Sequence, residues 1–580
     1  VSTELGSSRT ARLSAIVLTA FTLLAANLAV MQLWNGERYR GLSERNRIRI
    51  IYLEGPRGRI LDRHGRALAS NRLSFNCSAV PQEARDTIAR SCGILGPLLD
   101  EPPEELEKRF ERGKAGRFNT IVLAEDIPPA RAMAIEEKLD LLPGLLIETR
   151  PQREYPLAEA AAHLTGYDGP LTGDEEDSLE LYEYRLADWV GREGVEKTYE
   201  AYLRGRSGGL QIEVNNRGRI VKPLGVKEPI EGKDVQLTVD AELQRYVQGL
   251  LTGRKGAVLV MELEEGGLLA VNSSPSFDPN LFASVRGRKS VGPYLTDAEA
   301  PMMNRALRGQ YPAGSIFKIV PALAALERRK ASFTSEVFCS GFLMVGGKRF
   351  GCWKSSGHGR QAMAEAFAHS CNVYFYTIGM NAGLEAILEK ARSLGFGDLT
   401  GIDLPGERRG FLPSREWKKR VKRESWYDGE TANLSIGQGY LQITPTQALA
   451  MVSAIAVRGE MLRPHVLERV NGVKVSERSA RRLPISEGAL DAVRQGLERV
   501  VNSETGTGRL ARAKGVRVSG KTGTAQSGQK RTHAWFVGYA PPERPKVAVV
   551  VFLDQGGRGG VDAAGIASSV FGWLKEASYL

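Results

Sequence analysis

Gly256-Ala-Val-Leu-Val-Met-Glu-Leu263 and Gly267-Leu-Leu-Ala-Val271 are two short apolar runs split by Glu264-Glu265-Gly266. Runs of this length on either side of a charged, glycine-containing turn predict a β-hairpin. Three more strands are predicted far downstream, over Gly515 to Gln526, Thr532 to Ala540 and Lys546 to Asp554, with a closing helix from Asp562 to Glu576. The long stretch between the two groups reads as helical. Early and late strands must therefore pair across it, which predicts an α+β domain over residues 233–580, with a five-stranded antiparallel sheet flanked by helices.

The chain has 580 residues, too many for one hydrophobic core, so further domains are expected upstream. Arg57-Gly-Arg-Ile-Leu-Asp-Arg-His-Gly-Arg-Ala-Leu68 predicts a strand, a tight turn and a returning strand, with Gly65 supplying backbone freedom. Residues 72–150 alternate apolar runs with acidic helical pieces and carry no catalytic cluster, as a small head module would. Gly191 to Gly205 predicts a capped helix, Leu210 to Asn215 a strand, and Pro223 to Gly232 a linker. Residues 35–232 are thus expected to form an elongated pedestal that includes the head.

Leu13 to Leu33 contains no charged residue, enough for a helix to cross a hydrocarbon core of about 30 Å. A single retained anchor over 13–34 is expected, because a cleaved signal peptide has a shorter apolar region. Residues 1–12 are then a cytoplasmic tail. Charge does not fix the orientation: Arg9 and Arg12 precede the span, while Arg38, Arg40, Arg45, Arg47 and Arg49 follow it. The net charge of +12 is spread along the chain and not gathered into an aromatic-laced stripe. No nucleic-acid partner is expected, and a solvated basic surface near anionic lipid fits better.

The chemistry lies in three runs. In Tyr311-Pro-Ala-Gly-Ser-Ile-Phe-Lys318 the apolar residues from Ile316 to Leu326 predict a buried helix, with Ser315 and Lys318 on one face and Pro321 placed to kink it. A serine hydroxyl is a poor nucleophile at neutral pH, but an amine one turn away can take its proton if burial lowers the amine pKa. Such a pair alone is common by chance. Ser370-Cys-Asn372 in the helical middle and Ser519-Gly-Lys-Thr-Gly-Thr524 on a predicted strand, in that order, make chance a poor explanation. Asp240, Glu262 and Asp403 sit where capping and turn roles are usual.

These three runs resemble the Ser-x-x-Lys, Ser-x-Asn and Lys-Thr-Gly motifs of penicillin-binding proteins and serine β-lactamases. Arg57-Gly-x-Ile-x-Asp-Arg-x-Gly65, Arg153-x-Tyr-Pro156, His163-Leu-x-Gly-Tyr167 and Gly191-x-x-Gly-x-Glu-x-x-Tyr199 are similar to pedestal motifs of class B penicillin-binding proteins. Trp426-Tyr-x-Gly-Glu-Thr-x-Asn-Leu-Ser-Ile-Gly-Gln-Gly439 and Cys352-Trp-x-x-x-Gly-His-Gly359 are most similar to the elongation branch, penicillin-binding protein 2. Mild departures are Ala313 where Pro is commoner and Ile316 where Thr or Val is.

Carried over, the resemblance implies a peptidoglycan D,D-transpeptidase that works through a serine acyl-enzyme and is a target of β-lactams. Ser315 would be the nucleophile, Lys318 its base, Ser370 a proton relay and Asn372 a holder of peptide and lysine. Lys521, Thr522 and Thr524 would face the substrate carboxylate, and the backbone N–H groups of Ser315 and Thr524 would form the oxyanion hole. Gly523 would let the substrate lie against the strand. The implied partners are peptidoglycan stem peptides, a RodA-type SEDS glycosyltransferase at anchor and pedestal, and scaffold proteins of the elongation complex. The implied location is the cytoplasmic membrane, with the catalytic domain outside the cytoplasm. A division-type enzyme is the nearest alternative, and a β-lactam sensor or silent scaffold is further off. A β-lactamase would need a water-delivering carboxylate, and Glu430-x-x-Asn433 is one residue short of the class A spacing.

No organic cofactor is expected, but a metal is. Cys339, Cys352, His358 and Cys371 form Cys-x12-Cys-x5-His-x12-Cys, three sulfurs and an imidazole that would suit structural zinc. A Cys339–Cys352 disulfide or separate buried thiols are the alternatives. Cys77 and Cys92 read equally as a disulfide or as core thiols.

Overall fold

The structure is a computed structural model that describes residues 4–38, 48–113, 120–171, 189–214, 220–284, 287, 290–528 and 531–580. Residues 1–3 of the expected tail, Arg40, Arg45 and Arg47, and Asn215 at the end of an expected strand lie outside the described residues. Two compact units emerge: residues 1–56, 73–151 and 205–231 form one, and residues 57–72, 152–204 and 232–580 the other. The segment expected as a single pedestal contributes to both.

In the first unit a helix over Glu4–Ala29 continues as a π-helical turn over Val30–Trp34. Its stretch Arg12–Trp34 is long and apolar enough to cross a membrane. Leu18, Phe21 and Leu24 stand exposed, and the hydroxyls of Thr19 and Thr22 donate to carbonyls four residues back, which leaves these two hydroxyls needing no partner from lipid. Strands Ile48–Leu53, Gly208–Val214 and Ile220–Lys227 form an antiparallel sheet in that order. The last strand occupies the first half of the expected linker at Pro223 to Gly232. Pro223 misled the reading; it sits in an edge strand beside a register shift, where its missing N–H removes no essential ladder bond. Residues 73–151 have their own apolar core around Leu95, Leu106, Phe110 and Leu123. Cys77 and Cys92 belong to it as free buried thiols, and burial followed by the nearby Cys92 pushes Cys77 up to about 12.

The second unit is built on the expected sheet. Strands β1 (Gly256–Glu262) and β2 (Leu268–Ser274) form the hairpin, and β3 (Ser519–Ala525), β4 (His533–Ala540) and β5 (Val547–Leu553) follow much later. The order is β2-β1-β5-β4-β3, antiparallel throughout, with Val258 opposite Val551 where early and late strands meet. Every residue of β4 and β5 is buried, because helices cover the sheet. Each fully buried valine or phenylalanine there contributes about 1.5–3 kcal/mol. The intervening chain supplies α1 (Ile319–Glu327), α2 (Met363–Ala368), α3 (Asn372–Ala382), α4 (Pro445–Ala456) and α5 (Glu487–Asn502), and α6 (Ala564–Glu576) closes the domain. β3 is an edge strand, with one row of backbone groups unpaired within the sheet.

Residues 57–72 and 152–204 carry a buried ionic network. Arg57 Nη2 lies 2.7 Å from both Glu196 and Glu200, and Arg153 Nε donates to Glu196 at 2.6 Å. The Tyr155 hydroxyl donates to Asp168 at 3.3 Å and accepts from the Asp168 N–H at 3.0 Å. The arginine, tyrosine and glutamate of three separate sequence motifs meet here. Burial would raise the Glu196 carboxyl, but the charges of Arg153 and Arg57 hold it low. Burial and then the charge of Glu196 push the Asp168 carboxyl above the usual aspartate range. The turn after Ile60–Leu61 forms as expected, with Gly65 at φ +81°. Asp240 caps the helix Ala241–Leu250 by accepting from two backbone N–H groups.

Candidate active site

Ser315 lies in a 3₁₀ turn, Gly314–Lys318, that runs straight into α1. The expected helix is thus two helices of different pitch, and Pro321 does not interrupt the longer one. It is the third residue of α1, in the first turn, where an N–H has no partner within the helix to lose. The turn is pinned from two sides. Gly314, at φ +54°, donates to Gly437 O at 2.8 Å, and Trp535 Nε1 donates to Pro312 O at 3.0 Å. A Cβ on Gly437 would stand 2.1 Å from Gly314 O, so only glycine permits this approach.

Within the helical middle of the domain, Ser370 lies between α2 and α3. Its φ is +50°, the left-handed region that a residue with a side chain seldom adopts. The Ser370 N–H bonds Phe367 O at 3.1 Å and the Cys371 N–H bonds Ala366 O at 2.9 Å, the paired bonds of a Schellman cap with serine in the usual glycine place. Cys371 is then the residue before α3, and Asn372 the first residue of that helix. Strain at the cap aims the Ser370 hydroxyl between two lysines.

Lys318 Nζ contacts Ser370 O at 2.8 Å, Ser370 Oγ at 3.1 Å and Asn372 Oδ1 at 2.8 Å. Lys521 Nζ reaches the same Ser370 Oγ at 3.0 Å, and Thr522 O at 3.0 Å. Both lysines are fully buried, and none of the carboxylates among the described residues pairs with either. Burial lowers Lys318 to about 8, and burial together with the charge of Lys318 holds Lys521 well below the usual lysine range. The lowered value favours the free amine a general base must be. Ser315 Oγ makes no hydrogen bond among the described residues. As an ammonium, Lys318 spends all three hydrogens on Ser370 and Asn372; deprotonation frees a lone pair.

On β3 the Thr522 hydroxyl donates to Thr507 Oγ1 at 3.1 Å, and Thr524 Oγ1 accepts from the Gly559 N–H at 3.2 Å. Gly523 also serves a contact within the fold. A Cβ there would lie 3.0 Å from Ile316 Cγ2, 3.0 Å from Trp535 Cβ and 3.2 Å from Ala313 O. The absent side chain lets the strand press against the turn that bears Ser315.

The Cys339, Cys352, His358 and Cys371 ligand atoms lie within 4.8 Å of one another. Cys339 ends the strand Val337–Cys339, and the others come from the loops before and after Gly359–Gln361. His358 Nδ1 is 3.6 Å from Cys339 Sγ and 3.5 Å from Cys352 Sγ. Zinc with tetrahedral bonds of about 2.3 Å to sulfur and about 2.0 Å to nitrogen spaces S and N by about 3.5 Å, so this donor set fits the metal. All three cysteines are free thiols, which leaves the Cys339–Cys352 disulfide unformed. The Asn372 N–H points at Cys352 Sγ at 3.4 Å, tying the cluster to the turn that holds Ser370.

Ser315, Ser370, Asn372, Thr522 and Thr524 line one open groove of about 1390 Å³. The family model described as the penicillin-binding protein transpeptidase domain matches residues 256–572, and that described as the penicillin-binding protein dimerisation domain matches residues 52–237. The chain is 34% identical to the peptidoglycan D,D-transpeptidase MrdA of Acinetobacter baumannii, over 96% of this chain and 86% of that one. It belongs to the penicillin-binding proteins, in the penicillin-binding protein 2 branch. Penicillin-binding protein 2 of Helicobacter pylori, solved in complex with MreC, superposes with a TM-score of 0.83 at 29% identity, covering 92% of this chain and 100% of that one. A chain solved as part of a peptidoglycan synthase complex that coordinates polymerization and crosslinking gives 0.73 at 30% identity, covering 97% of both.

Ser315, Ser370, Asn372, Thr522 and Thr524 line this groove, Lys318 and Lys521 are buried behind it on Ser370, Gly523 packs against the Ser315 turn, and Cys339, Cys352, His358 and Cys371 cluster together. Thr507 and Trp535 were missed. Thr507 sits in Thr505-Gly-Thr-Gly508, whose two glycines signal a tight backbone, and its N–H and hydroxyl both bond Ala368 O. Trp535 lies in an apolar strand, where nothing separates a packing tryptophan from one that holds the nucleophile turn.

Proposed function

We propose that Ser315 is the residue acylated when this penicillin-binding protein, an elongation-type peptidoglycan D,D-transpeptidase, cross-links stem peptides. The observation that carries the assignment is the pair of buried lysines without a counter-charge, both bonded to Ser370 Oγ. Neutral Lys318 takes the Ser315 proton, and Oγ attacks the carbonyl of the donor's D-Ala-D-Ala bond. The oxyanion meets the backbone N–H groups of Ser315 and Thr524. Ser370 passes a proton to the amine of the departing D-Ala, and Lys521, Thr522 and Thr524 hold the terminal carboxylate. An amine of a second stem peptide then attacks the acyl ester and frees Ser315.

The helix Arg12–Trp34 is read as a single membrane anchor with the catalytic domain outside the cytoplasm, where its substrate is. A RodA-type glycan polymerase and scaffold proteins of the elongation complex are the proposed partners; relatives solved with MreC and within a peptidoglycan synthase complex support this. Cys339, Cys352, His358 and Cys371 are read as ligands of a structural zinc, which would fix the turn carrying Ser370 and Asn372. Metal analysis of the purified chain is expected to find about one zinc per molecule, lost in Cys371→Ser. A metal-free, fully active protein would remove that assignment.

The reaction is tested by incubating the full chain in detergent with a pentapeptide donor and an amine acceptor. Release of D-Ala with formation of the cross-linked product, both abolished in Ser315→Ala, is expected. Turnover that survives Ser315→Ala would refute the assignment.

A further inference from the structure

The groove around Ser315 has a charge pattern that the proposed reaction does not use up. Among the described residues that line it there is no Asp or Glu, while Arg349, Arg509 and Arg558 all face it. Some exposed arginines elsewhere in this unit are ion-paired: Arg328 with Glu389, Arg458 with Glu487 and Asp491, and Arg517 with Glu498 and Glu543. The three groove arginines have no carboxylate partner among the described residues. Arg349 is the one with another use, lying over the Phe342 ring at 4.2 Å on the wall near Phe350 and Tyr376.

Arg509 and Arg558 line the groove from two neighbouring loops. A Cβ on Gly560 would lie 2.5 Å from Thr507 O, so the two loops touch backbone to backbone, two residues from each arginine. Thr507 is in turn bonded to Thr522, and the Gly559 N–H to Thr524, which places both loops directly on the strand assigned to the terminal carboxylate. Asp562 does not neutralise the pair: it accepts from the Arg558 backbone N–H. Glu504 pairs with Arg512.

Lys521 and two threonine hydroxyls already suffice for one carboxylate. Two further guanidinium forks, unpaired and in an acid-free groove, match a second planar anion, because an arginine fork binds a carboxylate through two parallel hydrogen bonds. We infer that Arg509 and Arg558 form a second carboxylate subsite. It selects stem peptides with a free carboxylate on a residue before the D-Ala-D-Ala pair over the same peptides with that group amidated. The inference rests on the proposed transpeptidation and names which donors that reaction accepts.

The test uses the full chain in detergent and two synthetic pentapeptide donors that differ only in carboxylate against carboxamide upstream of D-Ala-D-Ala. A labelled penicillin, whose single carboxylate stands for the peptide's terminal one, is the third probe. The wild type is expected to release D-Ala from the acid donor at roughly tenfold higher kcat/KM. Arg509→Ala with Arg558→Ala should bring that ratio near one while penicillin acylates Ser315 within about twofold of the wild-type rate, which also reports a folded site. A wild-type ratio near one, or a tenfold ratio kept by the double variant, would overturn the subsite. Failure of penicillin to label Ser315 in the wild type would overturn the underlying reaction and the inference with it, so the two failures are distinct.

Discussion

Two clusters in the same unit bury charged side chains, and they do so in opposite ways. Around Glu196, the arginines Arg57 and Arg153 each meet a carboxylate at 2.6–2.7 Å, so positive and negative charge leave water together. Around Ser370, Lys318 and Lys521 are buried as deeply with only neutral acceptors. Paired burial keeps Glu196 ionised and holds distant segments of the chain together. Unpaired burial pushes a lysine towards its neutral form, which is what a base for serine needs. The contrast separates structure from catalysis without reference to motifs.

Replacing one lysine by an apolar group should expose the difference most strongly. Lys318→Met is expected to slow acylation by a labelled penicillin by about 10²–10⁴-fold, the usual worth of a general base, while leaving Tm unchanged or higher. A large fall in Tm would mean the lysine is structural after all. Glu196→Ala tests the other cluster: stranding the buried Arg153, with Arg57 left to Glu200 alone, should cost about 3–5 kcal/mol in denaturant unfolding of the unit. A loss under about 1 kcal/mol would show that the network is not what holds those segments. Gly523→Ala should cost about 1–3 kcal/mol, because the added methyl presses on Ile316 and Trp535. If Gly523 instead served the substrate, stability would stand and only the donor KM would rise.

Much of this was legible in the sequence, and the parts that were not share a cause. The hairpin at Gly256, the late strands and the order of the Ser315, Ser370 and Lys521 runs could be read because periodicity and motif spacing are local. The left-handed Ser370 could not, since a Schellman cap normally announces itself with glycine or asparagine. Pro321 and Pro223 were read by their average habits, a kink and a linker. The outcome in each case depended on where the chain had placed it, a first helical turn and an edge strand. Gly523 shows the same limit: the sequence marks a close approach but not which neighbour makes it.

The account's centre is that Ser315 becomes a nucleophile because Lys318 is buried unpaired. Acylation by a labelled penicillin, measured from pH 6 to 9.5 with the adduct mapped, addresses this directly. Lowered folded pKa means the base form grows with pH, so the rate should rise roughly tenfold per unit below pH 7 and level off above about 8, with the label on Ser315 throughout. A rate flat across that range, or label on any other residue, would contradict the account.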